Sequence, residues 1–326
     1  LKAFAYVNAA NEREALAALD ARRGRVLPLA GGMDLLGLMK NYVAQPERVV
    51  NIKSLDKTIT VSATGARIGA AATLIDLIEH QALAKAYPAL VQSADEVGTP
   101  QIRNAGTVGG NIMQRPRCWY FRNEEFNCLK KGGPRCFAVE GENQYHAIFG
   151  GGPCHIVHPS SLAVPLIAYG ARFRVAGPNG EREVDAGEFF ELPAENLMGE
   201  TVLRPNELLT HVMLPAAAGT RAATYEVRFK QSHDWPLATA SVVMTADGDR
   251  VKSARIVMGA VAPIPWRVPA AEEALAGKTI SEAVATEAAN AAVAGATPMT
   301  ENGYKVQVAR TAVKRAILRA AGIQTV

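Results

Sequence analysis

All four cysteines of this chain, Cys118, Cys128, Cys136 and Cys154, fall in one window between Arg115 and His155. Thiols gathered in this way pair as disulfides, hold a structural metal or ligate an iron–sulfur cluster. An even count permits disulfides. A chain of 326 residues has ample core, however, and no cysteine elsewhere, so it has little need of covalent staples. Zinc sites usually bring ligands in close pairs such as C-x2-C. Here nine, seven and seventeen residues separate successive cysteines, so no tight pair exists. A [4Fe–4S] cube takes one thiolate on each of its irons, which four cysteines would satisfy. Its usual spacing is also tighter, so spacing does not separate iron from zinc. His146, His155 and His158 lie nearby and are read as local hydrogen-bonding groups rather than ligands.

Two glycine-bearing segments are the other candidates for chemistry. A strand over 26–30 runs into Gly31-Gly32, then a short helix over 33–40 and a strand over 49–52. Strand, Gly-Gly, helix presents free backbone N–H groups to an anion. The plain alternative is a tight turn that needs two glycines. The second segment, "GTPQIRNAGTVGGNI" (98–112), is rich in Gly and Thr and is expected to be irregular backbone. Two facing sets of amides would hold a pyrophosphate between them. Neither segment has G-x-G-x-x-G spacing and no Walker A sequence occurs, so a Rossmann or P-loop nucleotide site is not expected.

The remaining elements must position these loops. A helix over 11–22 has Asn11 as N-cap, with Leu16 and Leu19 on its apolar face. "TITVSATGARIGAAAT" reads as two short strands around a glycine turn. Helices follow over 74–83 and 86–95. After the cysteine window come a short helix and a strand, a Pro178-Asn179-Gly180 turn, and a strand near Glu183-Val184. "PAAAGTRAA", from Pro215, reads as a linker of small residues. Strands over 224–229, 238–245 and 251–258 follow it. Ala309, Ala312, Val313, Ala316, Ile317 and Ala320 then mark one face of an amphipathic helix.

Composition excludes several classes. The balance of 35 basic to 31 acidic residues gives a net charge of only +4, with no basic stripe interleaved with aromatics. Nucleic acid and anionic membrane are therefore not expected partners. No apolar run approaches the ~20 residues of a membrane span. The opening "LKAFAYV" lacks the pattern of a secretory signal. The expectation is a cytoplasmic protein, or a periplasmic one exported together with a partner.

Taken together, "AGGMDLL" (30–36), "RNAGTVGGNI" (103–112) and "HPSSLAV" (158–164) resemble the FAD-binding subunits of molybdenum-containing hydroxylases. These include xanthine dehydrogenase, aldehyde oxidoreductase, carbon monoxide dehydrogenase and 4-hydroxybenzoyl-CoA reductase. "GAVAPIPWR" (259–267) is similar to the start of an element in their C-terminal domain. The resemblance implies an α+β chain: a two-subdomain FAD-binding fold of the PCMH type, then an α+β C-terminal domain of sheet plus helices. The expected units are 1–55, 56–214 with an inserted iron–sulfur loop over 115–157, and 215–326.

The cysteine window is similar to the insertion in the flavin subunits of 4-hydroxybenzoyl-CoA reductase and of a bacterial aldehyde oxidoreductase of the YagS type. That likeness implies a [4Fe–4S] cluster held by Cys118, Cys128, Cys136 and Cys154. The glycine segments and "HPSSLAV", through the family resemblance, imply FAD bound by Leu29, Ala30, Gly31, Gly32, Met33, Asp34, Leu35 and Leu36, by Thr107, Gly109, Gly110 and Asn111, and by Ser161. Lys230 is a weaker candidate near the flavin pyrimidine edge. Two positions depart from the family pattern: Ser161 stands where Asp is usual, and Met33 where Thr, Ser or His is common. Without His at that position, a covalent flavin is not expected. The chain shows no nucleophile–base pair and no molybdenum motif. The implied role is electron transfer beside a large molybdenum-cofactor subunit and a small [2Fe–2S] subunit, delivering to an external acceptor. The alternative is a flavin-free iron–sulfur scaffold bridging redox partners.

Overall fold

The computed structural model describes residues 1–231 and 233–324. Asn11 accepts a hydrogen bond from the Glu14 amide at 3.0 Å and starts the helix Glu12–Ala18. The helix stops short of the predicted end at 22. Leu19 is already extended, and Asp20 turns its carboxylate back to accept from the Arg22 amide. Three short parallel strands, β1 (Ala5–Asn8), β2 (Val26–Leu29) and β3 (Arg48–Asn51), form a sheet in the order β1-β3-β2. Parallel neighbours need crossovers. The helices Glu12–Ala18 and Leu35–Lys40 lie in those links.

The second sheet holds β4 (Ile59–Ser62), β5 (Gly65–Gly69), β6 (Arg172–Gly177), β7 (Gly180–Asp185) and β8 (Leu208–Pro215). Its order is β4-β5-β8-β6-β7 and all its pairs are antiparallel. Ile68, Leu77, Leu83 and Phe173 are fully buried in its core, with the helix Ala163–Tyr169 packed among them. Residues 216–219, from the predicted linker, carry the chain to a third sheet. Its strands β9 (Thr220–Val227), β10 (Ala238–Asp247), β11 (Arg250–Gly259) and β12 (Trp266–Arg267) lie in the antiparallel order β12-β11-β10-β9. The helices Pro269–Leu275, Glu282–Val293 and Tyr304–Ala320 cover it. All six apolar positions predicted for the last helix are buried. The chain is an α+β protein, as expected.

Two expectations are corrected. Residues 98–112 are not irregular. They form two short helices, Pro100–Ala105 and Val108–Ile112, each started by a threonine. Thr99 Oγ1 accepts from the Ile102 amide and Thr107 Oγ1 from the Gly110 amide. The hydroxyl caps outweigh the poor helix propensity of the glycines. The two helices expected over 74–95 are three: Leu74–Glu79, Gln81–Ala86 and Pro88–Asp95. His80 breaks the first run by capping the next helix through Nδ1. Pro88 has no N–H to continue the second. Among the described residues, no helix is long and apolar enough to cross a membrane.

Candidate functional site: the glycine cleft and the cysteine pocket

The fold brings the two glycine segments into contact. A Cβ at Gly31 would lie 1.9 Å from the Ala105 carbonyl oxygen, so only glycine permits this approach. Gly32 has φ +77°, the left-handed region where glycine is also favoured. Between the segments opens a cleft of about 640 Å³. Ala30, Gly31, Gly32, Met33, Asp34 and Leu35 line it from one side. Thr107, Gly109, Gly110, Asn111 and Ser161 also line it. Leu29 and Leu36 do not. Their side chains lie against Gly32 instead, beneath the turn.

The two sets of backbone amides differ in what they have to offer. Among the described residues, the amides of Gly31, Gly32, Met33, Asp34 and Leu35 take no protein acceptor. The amides of 108–111 are already used. Val108 donates to Ala72 O, Gly109 to Ala70 O, Gly110 to Thr107 Oγ1 and Asn111 to Thr107 O. Of the two facing amide beds expected, only the first segment leaves its run of amides without protein acceptors among the described residues. Those of 108–111 are spent on the carbonyls of Ala70 and Ala72 and on the Thr107 cap. What the second segment offers is the Asn111 side chain. Its Oδ1 accepts from Ser160 Oγ at 2.7 Å and from the Leu162 amide at 3.3 Å. This fixes the carboxamide, and its Nδ2 has no acceptor among the described residues.

Lys230 is exposed and does not line the cleft. Its amide donates to the Asp234 carboxylate, closing a turn that brings His233, Asp234 and Trp235 to the cleft in its place. Ser161 is buried. Behind it lies Glu226, whose Oε1 is buried with no hydrogen-bond partner, as is the Thr239 hydroxyl. Burial raises this carboxyl to about 7, with the Arg228 charge opposing the shift and Glu96 adding to it. Met33 is about half exposed and contributes backbone rather than a hydroxyl.

The cysteine window is mostly irregular, with one short helix, Trp119–Arg122, and a single 3-10 turn, Leu129–Lys131. All four thiols are free. Cys128 and Cys154 are buried, and Cys118 and Cys136 half-buried. Cys128 and Cys118 pack together with Leu38 and Phe121, and rings of Tyr120 and Phe137 close over them. Burial pushes the Cys118 thiol up to about 11, with Cys128 and Cys136 near enough to add to the effect. A hydrogen bond joins Cys136 and Cys154, lowering the first thiol and raising the second. The four sulfurs are thus linked in one neighbourhood. Among the described residues, no three side chains converge on a point that would hold a single ion. His146 Nε2 lies 3.3 Å from Cys118 Sγ. Burial, together with the Lys305 ammonium, lowers His146 to about 4. His155 Nδ1 would sit 2.5 Å from a Cβ at Gly151, and His158 is buried away from the thiols against Phe190.

Three anchors hold the window, one on each sheet's unit. Asp34, in the first glycine segment, accepts from the Arg115 amide at 2.9 Å and pairs with Arg117 and Arg122. Lys130, buried, donates to Leu197 O and Gly199 O and pairs with Glu200, which also pairs with Arg115. From the C-terminal unit, Asn302 Nδ2 donates to His146 O and Ala147 O, and Lys305 Nζ to Tyr145 O, His146 O and Ala260 O. The arginines before the first cysteine carried no sequence motif and were missed. The one available signal was "RPR", the three residues immediately before the first cysteine. Arg115 and Arg117 line the cleft, and Arg117 lies 4.6 Å over the Trp235 ring. The cysteine pocket and the glycine cleft therefore share a wall.

Comparison with known proteins accords with this geometry. A family profile described as "FAD binding domain in molybdopterin dehydrogenase" matches residues 2–217. A second, "CO dehydrogenase flavoprotein C-terminal domain", matches residues 223–320. The chain is 32% identical over 319 residues to the aldehyde oxidoreductase FAD-binding subunit PaoB of Escherichia coli, covering 95% of this chain and 96% of that one. It is 30% identical over 312 residues to the carbon monoxide dehydrogenase medium chain of Hydrogenophaga pseudoflava, covering 93% and 92%. A solved structure of carbon monoxide dehydrogenase from the same organism superposes with a TM-score of 0.75 over 98% of this chain and 97% of that one, at 32% identity. The chain belongs to the FAD-binding medium subunits of the molybdenum hydroxylase family, and is an oxidoreductase subunit.

Proposed function

We propose that this chain binds FAD in the glycine cleft and a [4Fe–4S] cluster in the cysteine pocket. In this reading it relays electrons from a small [2Fe–2S] partner of a molybdenum-cofactor subunit to an external acceptor. The observation that carries the flavin assignment is the run of five amides, Gly31 to Leu35, without protein acceptors in the cleft wall. Fixed N–H dipoles of this kind offset the charge of a diphosphate. The charge beside them fits as well. Arg115, Arg117, Arg122 and Lys130 stand against Asp34 and Glu200, four cations to two carboxylates, a surplus of two positive charges. When bound, FAD exchanges electrons in pairs or singly. The protein's part is to hold its phosphates with the first segment, to present the Asn111 carboxamide, and to cover the cleft with the His233–Trp235 turn.

For the second group the donor set is four thiols in one aromatic-walled pocket, none used in a disulfide. Two buried nitrogens there, Trp119 Nε1 and His146 Nδ1, have no hydrogen-bond partner. A cube spreads its four ligands over four irons. It therefore does not require the three-ligand convergence that a single zinc needs. In this reading, units over 1–55, 56–214 and 215–326 divide these tasks. The names of the relatives, a subunit and a medium chain, support a place between larger and smaller partners.

The test is absorption and metal analysis of the purified chain. One extractable flavin and four irons per chain is the expected result. A protein with iron but no flavin is the flavin-free scaffold. One with flavin and no iron removes the cluster from the reading.

A further inference from the structure

We infer that His146 is a positioning residue for the iron–sulfur group, donating an N–H···S hydrogen bond from Nε2 to Cys118 Sγ and so raising its reduction potential. This rests on the cluster assignment made above. The geometry is a contact of 3.3 Å, within range for a sulfur acceptor. An iron-bound thiolate has no proton to give, so the ring nitrogen must be the donor. The other ring nitrogen, Nδ1, is buried with no partner. With a sulfur acceptor at Nε2, the tautomer protonated there is the one that makes this bond.

The ring is also held in place. Its edge-to-face contact with Trp119 has centroids 5.4 Å apart and an interplanar angle of 79°. The His146 amide donates to Asn143 O, and its carbonyl accepts from Asn302 Nδ2 and Lys305 Nζ, both at 3.1 Å. The C-terminal unit thereby fixes a donor against a sulfur of the pocket. Reduction adds one electron to the cluster, and the added negative charge strengthens a hydrogen bond to its sulfur. Donation to sulfur thus favours the reduced state. No other side-chain donor to any of the four sulfurs from outside the set is found among the described residues.

The experiment compares the intact wild-type chain with His146→Phe and His146→Gln. His146→Phe keeps a ring and loses the donor. His146→Gln loses the ring and keeps an N–H. Each protein is assayed for iron and flavin, and the cluster is titrated with dithionite through redox mediators, followed by electron paramagnetic resonance. The expected result is full iron in all three, a lower potential in His146→Phe, and a wild-type potential in His146→Gln. A wild-type potential in iron-loaded His146→Phe overturns the inference, and so does a shift in His146→Gln as large as that in His146→Phe. Should His146→Phe lose its iron, His146→Leu takes its place as the variant without a donor: a lowered potential supports the inference and an unshifted one overturns it. A wild-type protein with flavin but no iron would instead overturn the cluster assignment itself.

Discussion

Two glycines six residues apart in the first segment should answer to alanine in opposite ways. A Cβ at Gly31 would meet Ala105 O at 1.9 Å and its carbonyl carbon at 2.7 Å, both backbone atoms that no rotamer change can move. To reach even a compressed contact, the segment must retreat by about 1 Å from the helix Pro100–Ala105. Overpacking of this kind costs ~1–3 kcal/mol of stability. The larger effect falls on flavin, because the retreating segment carries the five free amides. Loss of one hydrogen bond to a charged group is worth ~1.5–3 kcal/mol, roughly a 10- to 150-fold weaker Kd. Gly37 is the control. It lies inside the helix Leu35–Lys40, and its Cβ would meet nothing within 4 Å. Gly37→Ala should stabilise by ~0.5–1 kcal/mol and leave flavin binding intact. The assay is fluorescence titration of flavin-stripped protein with FAD, paired with urea unfolding of the same samples. If Gly31→Ala binds FAD with wild-type affinity, or if Gly37→Ala weakens it equally, the first segment does not hold the diphosphate.

Further predictions follow from the same geometry. Asn111→Ala removes the acceptor for Ser160 Oγ and the Leu162 amide, and should cost ~1–3 kcal/mol in denaturant unfolding along with flavin affinity. Asp34→Asn leaves Arg117 and Arg122 without their carboxylate partner. The expected cost is ~1–3 kcal/mol, below that of a fully buried pair, and flavin and iron content should fall together. Flavin lost with iron untouched would show that the two sites are not mechanically joined. Glu226 holds its proton to about 7 when folded but releases it near 4.5 when unfolded. Between those values the folded state binds more protons, so stability falls as pH rises through that window. Glu226→Gln should abolish this slope and stabilise the protein at pH 8 by on the order of 3 kcal/mol, measured by urea unfolding at pH 5 and pH 8.

The sequence showed most clearly what depends on periodicity or on a single backbone need. The apolar face of the last helix, the Asn11 cap and the Gly31-Gly32 turn each rest on one local rule, and each stands in the structure. The readings that changed involve competition between local preferences. In 98–112, glycine content argued against helix, while Thr99 and Thr107 supplied caps whose effect depends on where each helix begins. The fate of the Val108 and Gly109 amides was not legible at all, because their acceptors, Ala72 O and Ala70 O, lie thirty-six and thirty-nine residues away. Lys230 was chosen for its charge, yet the turn closed by Asp234 brings Trp235 to the cleft. Arg115 and Arg117 escaped notice because a lone arginine has no period or motif. Their meaning comes only from distant partners: Asp34, eighty-one residues from Arg115, takes the Arg115 amide and the Arg117 guanidinium, and Glu200 takes the Arg115 side chain.

The lysines and asparagines around the cysteine window have a common physical cause. A segment with little regular structure has no helix or ladder to occupy its carbonyl oxygens, and buried carbonyls need donors. Here the donors are side chains with several N–H groups each. Lys130 serves Leu197 O and Gly199 O, Asn143 serves Ala138 O and Gly141 O, Asn302 serves two carbonyls, and Lys305 three. Lys130 has Glu200 as a counter-charge, whereas Lys305 has carbonyl dipoles alone, and burial lowers it to about 7. An ammonium is costly to bury in this way, and a methionine would fill the same volume without that cost. What methionine cannot do is satisfy three carbonyls from two different segments at once. The choice of lysine therefore favours defined placement of Tyr145 and His146 over raw stability. The proposed cluster would make the same demand, since its thiolates would have to keep fixed positions beside the wall they share with the glycine cleft.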